Sequence, residues 1–238
     1  MTRAVFAIAR RELASYFSSP LAYVVTALFL VLAGLFFSLT VINVRQATLR
    51  PVLQNLYTIM LLLTPALTMR LLSEEQRTGT MELLLTAPIR ELDIVIGKFL
   101  AGIGFFAVMI SLTLIHPLFL AIYGSPDQGS VLSGYVGVIL FGAAIVAIGL
   151  FTSSLTPNPM IAYISAFVIL LVLWVIDNVG SLVGGDLGAA ITYTALFPHF
   201  NDLTRGLIDT KDVVYFVSLA AAALFLTWRS LEARRWRA

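Results

Sequence analysis

From Asp127 to Asp177 the chain carries no charged side chain. A helix needs about 20 apolar residues to cross a hydrocarbon core about 30 Å thick, so this run is too long for one crossing. Thr156-Pro157-Asn158-Pro159 divides it, because two prolines flanking an Asn read as a turn. Two membrane spans follow, near 131–154 and 160–178. Composition points the same way, with 59% hydrophobic and only 12% charged residues. A soluble globule needs roughly 25% charged residues to wet its surface, so this chain takes lipid as its solvent.

Four more charge-free runs complete the set. They place spans near 20–42, 52–70, 98–122 and 213–229, the last stretched by Trp228 and Arg229 at the interface. The expected fold is all-α: a polytopic membrane protein with six transmembrane helices in a single transmembrane domain, 1–238. The segment 179–200 is apolar but Gly-rich, and a further crossing there would make the count odd. Lys and Arg argue against that. With both termini cytoplasmic, only Arg45, Arg50, Arg205 and Lys211 of the 15 basic residues fall outside, which is the bias expected of inside loops. The segment 179–211 is then extracytoplasmic.

Residues 1–19 lack a convincing small-x-small cleavage site, so they do not read as a signal peptide. Phe6, Ala9, Leu13, Tyr16 and Phe17 share a helical face that Arg3, Arg10 and Arg11 avoid, which suits an interfacial helix. The plainer alternative is a basic lead-in to the first span.

The loop 73–90 is the informative one. Ser73 with Gln76 fits a capping box, Gly79 is a break, Thr80 caps a second short helix and Pro88 stops it. Met81, Leu84 and Leu85 share a face of that helix. Such an element suits either docking into a groove on a soluble partner, with Glu82 setting register, or resting on headgroups as an amphipathic connector.

Few ionisable groups lie at membrane depth, where they are functional suspects. His116, beside Pro117, reads either as a gate or ligand group or as the partner of a carbonyl freed by the proline. Asp177 and Asn178 end the fifth span, with Asp177 a second pore or gate candidate and Asp186 following. His199, Asp202 and Asp209 show no metal-ligand spacing and read as loop and cap residues. The pairs Ala143/Ala147 and Gly34/Ser38 would permit close helix approach.

Several function classes fall away. No phosphate-loop motif G-x-x-x-x-G-K-[ST] occurs, and neither H-E-x-x-H nor G-x-S-x-G is present. Cysteine is absent, so thiolate chemistry is excluded. No basic run with interleaved aromatics suggests nucleic acid. A secondary transporter is the better rival; it would show inverted repeats and midplane ion-coupling groups, and these spans show no convincing internal repeat and almost no midplane charge. A membrane anchor or force-transmitting scaffold of an envelope or motility complex stays open.

Three segments resemble one known family. Glu75-x-Arg77-x-Gly79-Thr80-x-Glu82-x-Leu84-Leu85-x-x-Pro88 is similar to the cytoplasmic signature of type-2 ABC transporter (ABC-2) permeases. Ala9-Arg-Arg-Glu12-Leu-x-x-Tyr16-Phe-x-Ser-Pro20 resembles their opening, and Pro198-His199-Phe200-x-Asp202-x-x-x-Gly206-x-Ile208-Asp209, followed by Asp212 and Tyr215-Phe216, the stretch before their last span. The nearest subgroup is the gliding-motility-type (GldF-like) permease.

The resemblance implies a bacterial inner-membrane exporter subunit that is not itself an enzyme. Two copies of a separate ABC ATPase would bind ATP and Mg, leaving no cofactor in this chain. A second permease copy or a related permease, an accessory extracytoplasmic protein and membrane lipid complete the expected partners. Glu75, Arg77, Gly79, Thr80, Glu82, Leu84, Leu85 and Pro88 would form the coupling contact, and Arg10, Arg11 and Glu12 would belong to a connecting helix bracing it. The extracytoplasmic segment would fold as short re-entrant helices.

Overall fold

The computed structural model describes residues 2–44, 47–86 and 89–235. Among them every regular element is helical, and six helices or helix pairs are long and apolar enough to cross a membrane. Pro88 and the side chain of Leu85 lie outside the described residues, as do Arg45 and Arg237 of the charge count.

Helix α1 (Thr2–Ser18) precedes the first span, α2 (Pro20–Val44). The second span is α3 (Arg50–Thr68), followed by the short helices α4 (Ser73–Thr78) and α5 (Thr80–Thr86). The third span is broken: α6 (Glu91–Ser111), a 3-10 turn over Leu112–Leu114, then α7 (Ile115–Tyr123). Helices α8 (Gln128–Leu155) and α9 (Pro159–Val183) are the fourth and fifth spans. Short α10 (Gly185–Tyr193) and α11 (Leu196–Thr204) lead into the sixth, α12 (Thr210–Arg235).

Local chemistry sets these limits. Asp127 caps α8 by accepting from the N–H groups of Gly129 and Ser130, and Asn158 caps α9 from Met160 with Pro159 in the first turn. The turn expected at 156–159 is therefore present. At α4 the expected capping box is not. The Ser73 hydroxyl donates backward to the Met69 carbonyl, and the Gln76 amide donates across to Ser154 O at 2.9 Å. A helix already packed against α8 offers that amide a tertiary acceptor, which displaces the local cap.

Pro117 removes an N–H, and the carbonyl four residues earlier, Thr113 O, loses its helical donor. The Tyr135 hydroxyl of α8 replaces it at 3.0 Å. His116 does not play that part. It stacks on Phe37 at 4.5 Å, and its Nδ1 is buried without a partner.

Spans two and four form the centre, 72% and 61% buried over their most apolar stretch, while spans one, five and six are largely exposed to the surround. Close approach is made at glycines of α8, where a Cβ on Gly142 would meet Phe106 and one on Gly149 would meet Thr68. Within the chain no atom lies within 4 Å of a Cβ on Gly34, and Ser38 is exposed. Helix α9 continues past Asp177 and Asn178 to Val183, so those residues do not end it. Positive φ at Gly184 and Gly185 then reverses the chain, and Gly188 packs on the Gly180 carbonyl. Leu196, Phe200 and Leu203 carry α11 into the core.

Candidate functional site

The distinctive polar cluster lies where α1, α4 and α6 meet. Lys98, on α6, is buried, and its Nζ lies 3.3 Å from Glu12 Oε1 and 3.0 Å from Glu75 Oε1. Arg11 Nη2 reaches the same two carboxylates at 2.7 and 3.2 Å. Two cations and two anions thus form a closed, neutral set across three segments. Such an arrangement is costly to open, because removing one partner strands a buried charge. The hydrogen bond that Arg11 donates to Glu12, reinforced by the charge of both carboxylates, raises its already high pKa. Arg10 stays exposed outside the set.

Helix α1 is seated by apolar contacts as well. Ile8 packs so tightly on Gly97 that a Cβ there would lie 2.8 Å from Ile8. Tyr16 stacks on Phe105 at 4.9 Å and donates to Leu67 O at 2.9 Å. Burial, with Glu12 nearby, raises the Tyr16 pKa, which keeps that donor protonated. The inward face is therefore Ile8, Glu12, Leu13 and Tyr16, whereas Phe6 is 70% exposed. The exposed Phe6 belongs to the apolar face expected to lie in the membrane interface, while Ile8 and Glu12 are on the side that packs on protein.

Gly79 ends α4 in the left-handed region at φ 73°, the conformation that suits Gly. Thr78 and Thr80 hydroxyls bond each other across it at 2.9 Å. Beyond the break, Met81 is buried and Leu84 half-buried in a small core with Leu72, Ile94, Leu150 and Leu231. These apolar residues hold α5 to its own chain. Arg77, Thr78, Gly79, Thr80 and Glu82 form the exposed, polar side. Glu75 faces inward to Lys98 rather than outward.

The two gate candidates stay apart. His116 is on α7 against Phe37, and Asp177 is half-buried on α9, with no hydrogen bond or ion pair between them among the described residues. No group of three or more His, Asp or Glu is placed to hold a metal among the described residues.

Lys98 was not legible as a site residue, and Asp212 stood out only within the family-like stretch before the last span. Lys98 did carry a signal: its helical neighbours Ile94, Val95, Ala101 and Gly102 are all apolar. A lysine without a partner at i±3 or i±4 must find one elsewhere or be expelled from the bundle.

A family model described as ABC-2 family transporter protein matches residues 43–184. No curated protein matches the chain.

Proposed function

The chain belongs to the ABC-2 family of transporter proteins, a multi-pass membrane subunit of an ABC transporter, and from that premise we propose that α4 and α5 are the element through which a separate ATPase drives it. The observation that carries this reading is the Lys98 set. It fastens the exposed polar turn to both α1 and the third span, so a displacement of the turn cannot leave either behind. The contact face is Arg77, Gly79, Thr80 and Glu82, with Leu84 supporting it from within. Helix α1 serves as the connecting helix, braced through Arg11 and Glu12.

In this reading the chain is an exporter of the gliding-motility type in a bacterial inner membrane, with both termini cytoplasmic. Two such chains, or one with a related permease, bind two ATPase subunits that hold ATP and Mg. An accessory extracytoplasmic protein is a further partner. ATP-driven closure of the ATPases shifts the population between two packings of the spans, as differential contacts require, and substrate moves across or out of the membrane between the two permeases.

Co-expression with an ATPase encoded beside the gene tests the reading. Arg77→Glu with Glu82→Arg reverses the exposed charges and leaves the buried Met81 and half-buried Leu84 alone. Co-purification that this pair abolishes supports it. A well-folded chain that binds no ATPase under any nucleotide condition overturns it.

A further inference from the structure

A cavity of about 830 Å³ opens beside α5, between the last turns of α8 and α12. Leu226, Arg229, Ser230, Ala233 and Arg234 recur at helical spacing, so one face of α12 makes one wall. Phe151 and Leu155, one turn apart on α8, face it, and Glu82 stands at the α5 edge. The walls are graded. Phe151 and Leu226 lie nearer mid-span, while Arg229 and Arg234 lie at the helix end, where the membrane interface must fall.

The basic groups are fixed rather than free. Arg234 donates through Nη2 to Ser154 O at 3.1 Å and Leu155 O at 3.3 Å. Arg229 bonds Glu232 and lies 6.0 Å over the Trp228 ring. Neither is fully consumed, since a guanidinium carries five N–H donors. The same cavity therefore presents two guanidinium groups, one carboxylate and an apolar slot, the complement of a molecule with a phosphate, an ammonium and an acyl chain.

We infer that this cavity holds one aminophospholipid of the adjoining leaflet. Its phosphate lies against Arg229 and Arg234, its ammonium toward Glu82, and an acyl chain along Phe151, Leu155 and Leu226. A phospholipid with an uncharged headgroup leaves Glu82 without a counter-charge and is the weaker ligand. Occupancy is a property of the chain alone and does not rest on the ATPase reading.

The experiment uses the full chain in mild detergent, exchanged against equal amounts of phosphatidylethanolamine and phosphatidylglycerol and read by native mass spectrometry. Wild type is expected to retain phosphatidylethanolamine over phosphatidylglycerol by about fivefold, the factor of a single interfacial charge. Glu82→Gln should erase that preference. Ala233→Trp, which fills the cavity without altering charge, should lose bound lipid while keeping its helical content. If that variant fails to fold, Arg229→Gln, at a largely exposed side chain, replaces it with loss of retention again expected. Equal retention of the two lipids by wild type overturns the inference. So does undiminished retention by the folded Ala233→Trp chain, or by Arg229→Gln where that variant stands in.

Discussion

His199 Nδ1 lies 2.6 Å from Asp212 Oδ1, with both side chains buried where α11 meets the start of α12. His199 Nε2 is 3.0 Å from the Tyr193 carbonyl, which only accepts, so that nitrogen carries a hydrogen. A second proton must lie between Nδ1 and Oδ1, because neither a bare ring nitrogen nor a carboxylate donates. The Tyr215 ring stacks on the imidazole at 4.0 Å, and its hydroxyl donates to Thr194 O. The pair is the fastener of the outer segment.

His199→Leu leaves the Asp212 carboxylate buried alone and should cost about 3–5 kcal/mol of stability. Adding Asp212→Leu should recover most of that loss. Thermal unfolding of the single and double variants in detergent checks it, and equal losses would show that the stranded carboxylate is not the cause.

Lys98→Met removes the cation shared by Glu12 and Glu75 and should also cost about 3–5 kcal/mol. Glu75→Gln in the same chain removes one of the two carboxylates then left to Arg11 alone and should restore part of the stability. If the set also couples α4 to α1, ATPase co-purification should weaken in the single variant and return in the double. A Lys98→Met chain as stable as wild type would exclude an energetic role for the set.

The two polar sets also show what a sequence hides. Charge-free runs, the Thr156–Pro159 turn and the break at Gly79 were legible because each depends on neighbouring residues. Glu12, Glu75 and Lys98 are far apart in the chain, and only the packing of α1 on α6 brings them together. His199 read as a loop residue because Asp212 lies beyond a full turn of intervening chain. The side of α1 that packs on protein was hidden for a different reason. In lipid, apolar spacing does not distinguish a surface facing protein from one facing hydrocarbon, so Phe6 and Ile8 look alike until the glycine opposite Ile8 is seen.

Tyr135→Phe removes the side-chain donor to Thr113 O, leaving it the Ile115 N–H, and should cost about 1 kcal/mol. Pro117→Ala supplies a backbone N–H to that carbonyl, so Tyr135→Phe made in a Pro117→Ala background should cost much less. Thermal unfolding of the four-member cycle measures the coupling. Strict additivity would mean that the hydroxyl does not serve the proline break.

At Gly79 the left-handed backbone sets the outcome. Gly79→Asn should be tolerated, since Asn visits that region, whereas Gly79→Val should cost about 1–3 kcal/mol of local strain. No neighbouring atom lies within 4 Å of a Cβ there, so sterics do not confuse the comparison. ATPase co-purification should fall for Val and persist for Asn; equal behaviour would detach the turn's shape from its binding.

The Lys98 set also imposes an order on biosynthesis. Glu12 leaves the ribosome with Arg11 beside it, Glu75 follows after two spans, and Lys98 comes only with the third. Until that helix inserts, α1 has neither its buried cation nor Gly97 to receive Ile8. Helix α1 is made before the elements that hold it and is therefore among the later ones to be seated, and a nascent chain halted before the third span would leave it undocked.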